Sequence, residues 1–273
     1  MIAQLDSQFP WELVIVNNGS GDGTADLLQE FLETSTLNVT IVNETTPGLA
    51  NARNAGVRAA TGRVLAFTDD DCLPATDFIV QMLNVFNEDE TIGFVGGRIL
   101  LHDPTDQPIT IKESTEREVI ESGHFIEAGL IHGANFACRR KALLQAGAFD
   151  PFFGAGSYYA VEDIDMAARI SAAGWLGVYD PRPVVRHDHG RKTTADAEAL
   201  ASTYAKGRGA YYVKCILQKQ WSLLGMKQWY WASRRKPIVS LTREFSGGVS
   251  FFFRNCWDRG RRFRELNIEG KTN

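Results

Sequence analysis

The chain has 273 residues, 44% of them hydrophobic and 23% charged, a balance that excludes disorder, collagen-like repeats and coiled coil. Its apolar runs are too short to span a membrane as a helix, and MIAQLDSQFPW has neither the basic nor the apolar region of a secretory leader. The four cysteines are scattered without CxxC or Cys/His spacing, which points to reduced thiols in a cytoplasmic protein rather than disulfides or structural zinc. The net charge of −4 is uneven: residues 1–190 hold 12 Lys+Arg against 27 Asp+Glu, and residues 191–273 hold 17 against 6. An acidic body suits a bound cation, and a basic end suits an anionic partner.

In chain order, LVIVN (Leu13–Asn17) reads as a strand and is followed by the turn GSGDG. TADLLQEFLET reads as a helix, with Leu27, Leu28, Phe31 and Leu32 on one face and Asp22 or Thr24 available as a cap. NVTIVNE (Asn38–Glu44) is the second strand. GLANARNAGVRAATG is a second helix, closing at Gly62. RVLAFTD (Arg63–Asp69) is a third strand and runs into Asp69-Asp70-Asp71. DFIVQMLNVFNED is a helix and GFVGGRILL a strand. HGANFACRRKALLQAGAFD combines a short strand and a short helix. GAGSYYAVEDIDM is a glycine-rich loop leading into a helix near Val161, and LGVYDPRPVVRHDHG gives two short strands around Pro181 and Pro183. From Thr194 onward the pattern is helical.

This alternation predicts an α/β fold with a mainly parallel sheet flanked by helices. Residues 1–190 form the body and residues 191–273 a basic helical extension. Ligands of such sheets bind beyond the carboxyl ends of strands, which places Asn17-Asn18-Gly19-Ser20 and the aspartate triplet on one rim. Three adjacent carboxylates repel one another, and a divalent ion such as Mg²⁺ or Mn²⁺, shared with a diphosphate, is their natural counter-charge. The plain alternative is a solvated acidic turn. On the later helix, Glu162 and Asp165 share a face while Asp163 points elsewhere. One of these carboxylates could deprotonate an attacking hydroxyl, or the acids could simply favour the helix dipole. Gly154 and Gly156 before them suggest a lid. Arg53 and Arg58 are candidates to meet either a diphosphate or the acidic triplet. His187 and His189 follow a strand on one face, and one of them is a candidate additional metal ligand.

Several ordered motifs resemble those of the family 2 glycosyltransferases of GT-A fold. They are WELVIVNNGSGDGT, PGLANARNAG, RVLAFTDDDCLP and the block from HGANFACRR to EDIDMAARISAAGW, which together cover roughly residues 10–190. The resemblance implies an inverting, metal-dependent transferase. It would move a single sugar from a nucleotide-diphosphate donor to a sugar or lipid-linked sugar acceptor, in cell-surface polysaccharide or glycolipid synthesis. By position it makes Asp163 the catalytic base with Glu162 beside it. Asn17, Asn18, Ser20, Arg53, Asp69, Asp70 and Asn135 become donor-binding residues. Asp71, Asp69 and His187 become metal ligands, Asp71 foremost.

Two departures stand out. The nucleotide loop reads Asn17-Asn18 where the family usually begins with aspartate, which leaves the base preference open. The family also opens with a strand and turn ahead of the helix leading into residue 10. Their absence leads us to expect a true start upstream of Met1, or a shortened chain. The processive members' Q-x-x-R-W is replaced by QKQW (Gln218–Trp221), so one sugar per encounter is expected. Trp221, Trp229 and Trp231 among Lys219, Lys227, Arg234, Arg235 and Lys236 suit either packing on the body or peripheral contact with an anionic membrane. The acidic bulk argues against nucleic acid. Two other readings are weighed: a nucleotidyltransferase, for which GSGDG is too acidic a phosphate loop, and a non-catalytic binding relative.

Overall fold

The structure is a computed structural model. It describes Leu5 and residues 9–220, 223–234 and 237–269, with backbone only for 223–225, 229 and 257–269. It has eight strands and eight α-helices among the described residues, with a 3-10 turn at Gly133–Asn135. β1 (Leu13–Asn17) and β2 (Val39–Asn43) pair in parallel, joined through α1 (Thr24–Thr34). A separate six-stranded sheet holds β3 (Val64–Phe67), β4 (Cys72–Pro74), β5 (Ile92–Leu101), β6 (Glu118–Ile120), β7 (Phe136–Arg139) and β8 (Leu176–His187). Its order is β3-β7-β5-β8-β4, with β6 added on β8. The Glu12 carboxylate joins the two sheets by accepting the amides of Thr61 (2.6 Å) and Gly62 (2.9 Å).

The larger sheet is mixed. β5 and β8 are parallel, but β3–β7, β5–β7, β4–β8 and β6–β8 are antiparallel. Parallel neighbours need a crossover; between β5 and β8 it contains α4 (Arg140–Ala146) and α5 (Glu162–Ala172), while α3 (Phe78–Glu88) leads into β5. The short β4, β6 and β7 are inserted without one. β8 is one continuous strand where two were expected. Its partner β5 slips register between Gly97 and Arg98, opposite Asp180 and Val184. That irregularity admits Pro181 and Pro183, which have no N–H for the ladder.

Side chains alternate across this sheet with the two-residue period of a strand. Phe94, Phe136 and Cys138 join Phe149, Met166 and Tyr211 on one face. Val95, Ala137 and Ile99 join Met82, Val85 and Phe86 of α3 on the other. The thinner β1–β2 sheet offers α1 little cover: Leu28 and Phe31 are half-buried, and Leu27 and Leu32 stay exposed.

The C-terminal helices belong to the same core. α6 (Thr194–Leu217) supplies Ala210, Tyr211 and Cys215, and α8 (Ile238–Glu269) supplies Phe251. α6 and α8 cross at backbone contact. A Cβ at Gly209 would lie 1.7 Å from the Glu244 carbonyl oxygen, and one at Gly247 would lie 2.0 Å from that of Lys206. Between them α7 (Leu223–Ser233) completes the segment.

Candidate active site

The rim is assembled from the ends of β1, β3 and β8, the start of α5, and one face of α2 (Leu49–Ala59). After β1, Asn17 Oδ1 accepts the Ser20 amide at 3.1 Å and closes a tight turn. Asn18 Nδ2 donates to the carbonyls of Glu44 (2.9 Å) and Thr46 (2.8 Å), and its Oδ1 accepts from Gly48 N (3.0 Å). Asn18 thereby clips this loop to the one after β2. Ser20 and Asp70 are exposed. Arg58 meets Glu44 near the surface rather than the triplet.

Arg53 is the central cation. It is buried between Phe67 and Phe149, its guanidinium 5.9 and 5.7 Å from the ring centroids. Nη1 donates to Glu162 at 2.6 Å and Nη2 to Asp69 at 3.3 Å. A Cβ on Gly133 would stand 2.4 Å from Nη2, so a glycine is required for the arginine to reach both acids. Burial pushes the Glu162 carboxyl up to about 7, against the pull of Arg53, and the Asp163 charge adds to the rise.

The acids of EDID have three different partners. Glu162 faces Arg53. Asp165 is fully buried and paired with Arg169 (2.8 Å) and Lys214 of α6 (2.6 Å). Asp163 turns to the opening: its Oδ2 accepts Gly133 N at 2.6 Å and its Oδ1 accepts Ile164 N at 2.8 Å. It lines a cavity of about 250 Å³. Val161, just before α5, holds φ +78° while buried, a left-handed conformation that a β-branched residue rarely adopts. The glycine-rich loop before it is tied down: Ala155 O accepts Leu49 N at 2.9 Å, and Gly154 N donates to Tyr159 O at 2.7 Å.

Of the three residues expected to hold an ion, Asp71 and His187 meet, and Asp69 is joined to Arg53. The β4–β8 register sets Cys72 opposite His187. His187 Nε2 lies 3.2 Å from Asp71 Oδ2, and its Nδ1 is 3.2 Å from Thr110 Oγ1, which fixes the ring. The His187 hydrogen bond holds the Asp71 carboxyl below the usual range. Among the described residues Asp71, Cys72 and His187 form a donor trio with ligand atoms within 4.8 Å of one another. Burial, with the charges of Asp69 and Asp71, pushes the Cys72 thiol up to about 12, so it stays a thiol. A carboxylate and an imidazole remain, a donor pair that fits a hard or borderline ion such as Mg²⁺ or Mn²⁺. His189 is adjacent, its ring centroid 5.1 Å from that of His187, but it faces Asp106 (3.5 Å).

Asn135 is fully buried. Its Nδ2 donates to the carbonyls of Arg98 (2.9 Å) and Pro183 (3.0 Å) at the β5–β8 irregularity, and its Oδ1 is buried without a partner. Cys72 entered the sequence reading only as a reduced thiol, and Thr110 and His132 of this region escaped it. They reach the site through strand register and a loop return of tens of residues, which no local spacing encodes.

Comparison with known proteins places these features in context. Residues 1–146 match the family model described as Glycosyl transferase family 2. The pre-mycofactocin glycosyltransferase of Mycobacterium tuberculosis is 30% identical over 149 residues, 52% of this chain and 30% of that protein. The N-acetylglucosaminyl-diphospho-decaprenol L-rhamnosyltransferase of the same organism is 32% identical over 78 residues, 29% of this chain and 24% of that protein. The chain thus spans about a third or less of these relatives. Among solved structures, the mannosyltransferase PcManGT from Pyrobaculum calidifontis, in complex with GDP-Man and Mn²⁺, superposes with a TM-score of 0.63 at 21% identity, covering 90% of this chain and 67% of that one. TarS 1–349 of S. aureus with UDP-GlcNAc gives 0.52 at 15% identity, covering 75% and 59%.

Proposed function

The chain belongs to glycosyl transferase family 2, and from that premise we propose that it moves one sugar from a nucleotide-diphosphate donor to a hydroxyl acceptor with inversion at the anomeric carbon. The acceptor O–H gives its proton to Asp163. The acceptor oxygen bonds to the anomeric carbon as the bond to the diphosphate oxygen breaks, and the nucleoside diphosphate leaves with the electron pair. The observation that carries this reading is the separation of roles among neighbouring acids. Glu162 is bound to Arg53 and Asp165 to Lys214, while Asp163 opens on the cavity.

The two amides on Asp163 fix its orientation and leave lone pairs for a hydroxyl. Arg53 is placed beside Asp69, where it can share its charge with an arriving diphosphate. Asp71 and His187 would hold Mg²⁺ or Mn²⁺, and Asp69, on the same turn as Asp71, would join if it released Arg53. When bound, the ion neutralises charge on the diphosphate leaving group. Asn17, Asn18 and Ser20 shape the loop on the nucleotide side, and Asn135 braces the sheet beneath the sugar. An acceptor with a lipid or sugar body, used in polysaccharide or glycolipid synthesis at the inner face of a membrane, completes the proposal.

The test is a screen of UDP-glucose, UDP-GlcNAc and GDP-mannose for hydrolysis with Mn²⁺, with Mg²⁺ and with chelator. Wild type should hydrolyse at least one donor in a metal-dependent way. Asp71→Ala should lower that rate by about a hundredfold, the scale of losing one electrostatic contact to developing charge. Hydrolysis indifferent to chelator and to Asp71→Ala would remove the metal from the proposal.

A further inference from the structure

The cavity beside Asp163 has a composition that bears on the acceptor. One wall is a single face of α6, where Ala197, Leu200, Ala201, Tyr204 and Arg208 recur at helical spacing. Ile109, Ile131, Val161 and Ile164 line the cavity as well. Apolar side chains therefore make up most of the wall around the acid. Thr110, His132, Tyr204 and Arg208 are the polar members of the lining beside the acid, and the rest of it is apolar.

Arg208 is the cation of this lining. It is already engaged: Nε donates to Glu244 at 2.8 Å and Nη2 to Ser240 Oγ at 3.0 Å. That pairing leaves no free positive charge in the cavity wall for a phosphate. At the acid's end, His132 sits next to Gly133, whose amide holds Asp163. His132 Nε2 is buried without a hydrogen-bond partner, and burial holds the imidazole below its usual pKa despite the nearby Asp163 charge. A buried, neutral ring nitrogen without a partner is a vacancy for a hydroxyl.

We propose that this cavity receives the uncharged hydrocarbon body of the acceptor, an alcohol or glycoside bearing an alkyl or aryl group, and that His132 Nε2 hydrogen-bonds the hydroxyl head beside Asp163. The inference rests on the transferase reading for the meaning of "acceptor", but not for the binding itself. His132 is a positioning residue, and Leu200 and Ala201 set the preference for an apolar body.

The experiment is calorimetric titration of the full chain with hexyl β-D-glucopyranoside, methyl β-D-glucopyranoside and glucose 1-phosphate, with donor hydrolysis measured in parallel. The hexyl compound should bind about tenfold or more tighter than the methyl compound, because its added methylenes leave water. Glucose 1-phosphate should bind no better than the methyl compound. Leu200→Asp and Ala201→Trp, at half-buried and exposed positions of α6, should erase the hexyl preference while donor hydrolysis persists. His132→Ala should weaken hexyl binding by about tenfold, the scale of one lost hydrogen bond.

Equal binding of hexyl and methyl compounds, tightest binding of the phosphate, or a hexyl preference intact in both α6 variants would overturn the assignment. A hexyl preference without hydrolysis of any donor would sink the transferase reading and keep the cavity. Hydrolysis without the preference would do the reverse.

Discussion

Asp163 and Glu162 are adjacent in sequence and differ in everything that decides a carboxylate's chemistry. One is anchored by two amides at the mouth of a cavity, and the other is buried on an arginine. Asp163→Asn keeps the shape and removes the base. It should bind UDP or GDP as wild type does and lower transfer by about 10²–10⁴-fold. Equal loss of binding and transfer, by calorimetry and product assay, would count against the assignment.

Glu162 gives a pH signature. Its folded pKa is about 7, above the ordinary 4.5, so the native state keeps a proton that the unfolded chain releases. Its contribution is then complete below about 4.5 and is lost as pH rises through about 7. The melting temperature of wild type, relative to that of Glu162→Gln, should fall between pH 5 and 7 and level off above. A constant difference would show an ordinary carboxyl.

That Asp163 points away from Glu162 and Asp165 was legible from spacing, and its assignment as base was legible only through the family resemblance. The partners of these acids were not legible. Arg53 arrives from α2 and Lys214 from α6, 109 residues upstream of Glu162 and 49 downstream of Asp165 respectively.

At the scale of elements, strong periodic signals were readable: β1, α1, β2, α2, β3, α3 and β5 fall where the hydrophobic pattern puts them. β4 did not, because three residues ending in proline carry no period. Yet β4 is what brings Asp71 to His187. The division of β8 into two strands followed from its prolines, and the sheet instead absorbs them by a register slip. The crossing of α6 and α8 was equally hidden, since glycines in a helical stretch read as weak propensity rather than as contact.

That crossing makes a prediction of its own. Gly209→Val or Gly247→Val would drive a side chain into the opposing helix backbone, beyond the 1–3 kcal/mol of ordinary overpacking, so a loss of about 3 kcal/mol or more is expected in urea unfolding. Gly21→Ala, in open space, is the neutral control. A Gly247→Val protein as stable as wild type would mean that the helices do not approach so closely.

Over the whole molecule, the acidic body and the basic end share one apolar cluster. The basic end also carries an exposed apolar face on α8, where Ile238 is 78%, Phe245 74% and Phe253 66% exposed. Arg254 lies 3.9 Å over the ring of Tyr158, in the loop ahead of α5. Trp231 is exposed. Trp221, Arg235, Lys236 and the Trp229 side chain, also expected to take part, lie outside what the structure describes. No described helix is long and apolar enough to cross a membrane. A face of this kind, with arginines beside it, suits the boundary of an anionic bilayer. Phe245→Glu with Phe253→Glu should reduce flotation with phosphatidylserine vesicles while donor hydrolysis persists. Unchanged flotation would refute the contact.

The notch where Gly209 receives the backbone of Glu244, and Gly247 and Gly248 rest on the backbone of Lys206 and Gly209, bears on protein engineering. The helix forming one side of the cavity beside Asp163 is held in place by a partner some forty residues later in the chain. Grafting α6 alone from a relative, to alter the lining of that cavity, would therefore transplant a surface without its seat. A workable chimera has to exchange both helices as one cassette and match their small residues at the junction.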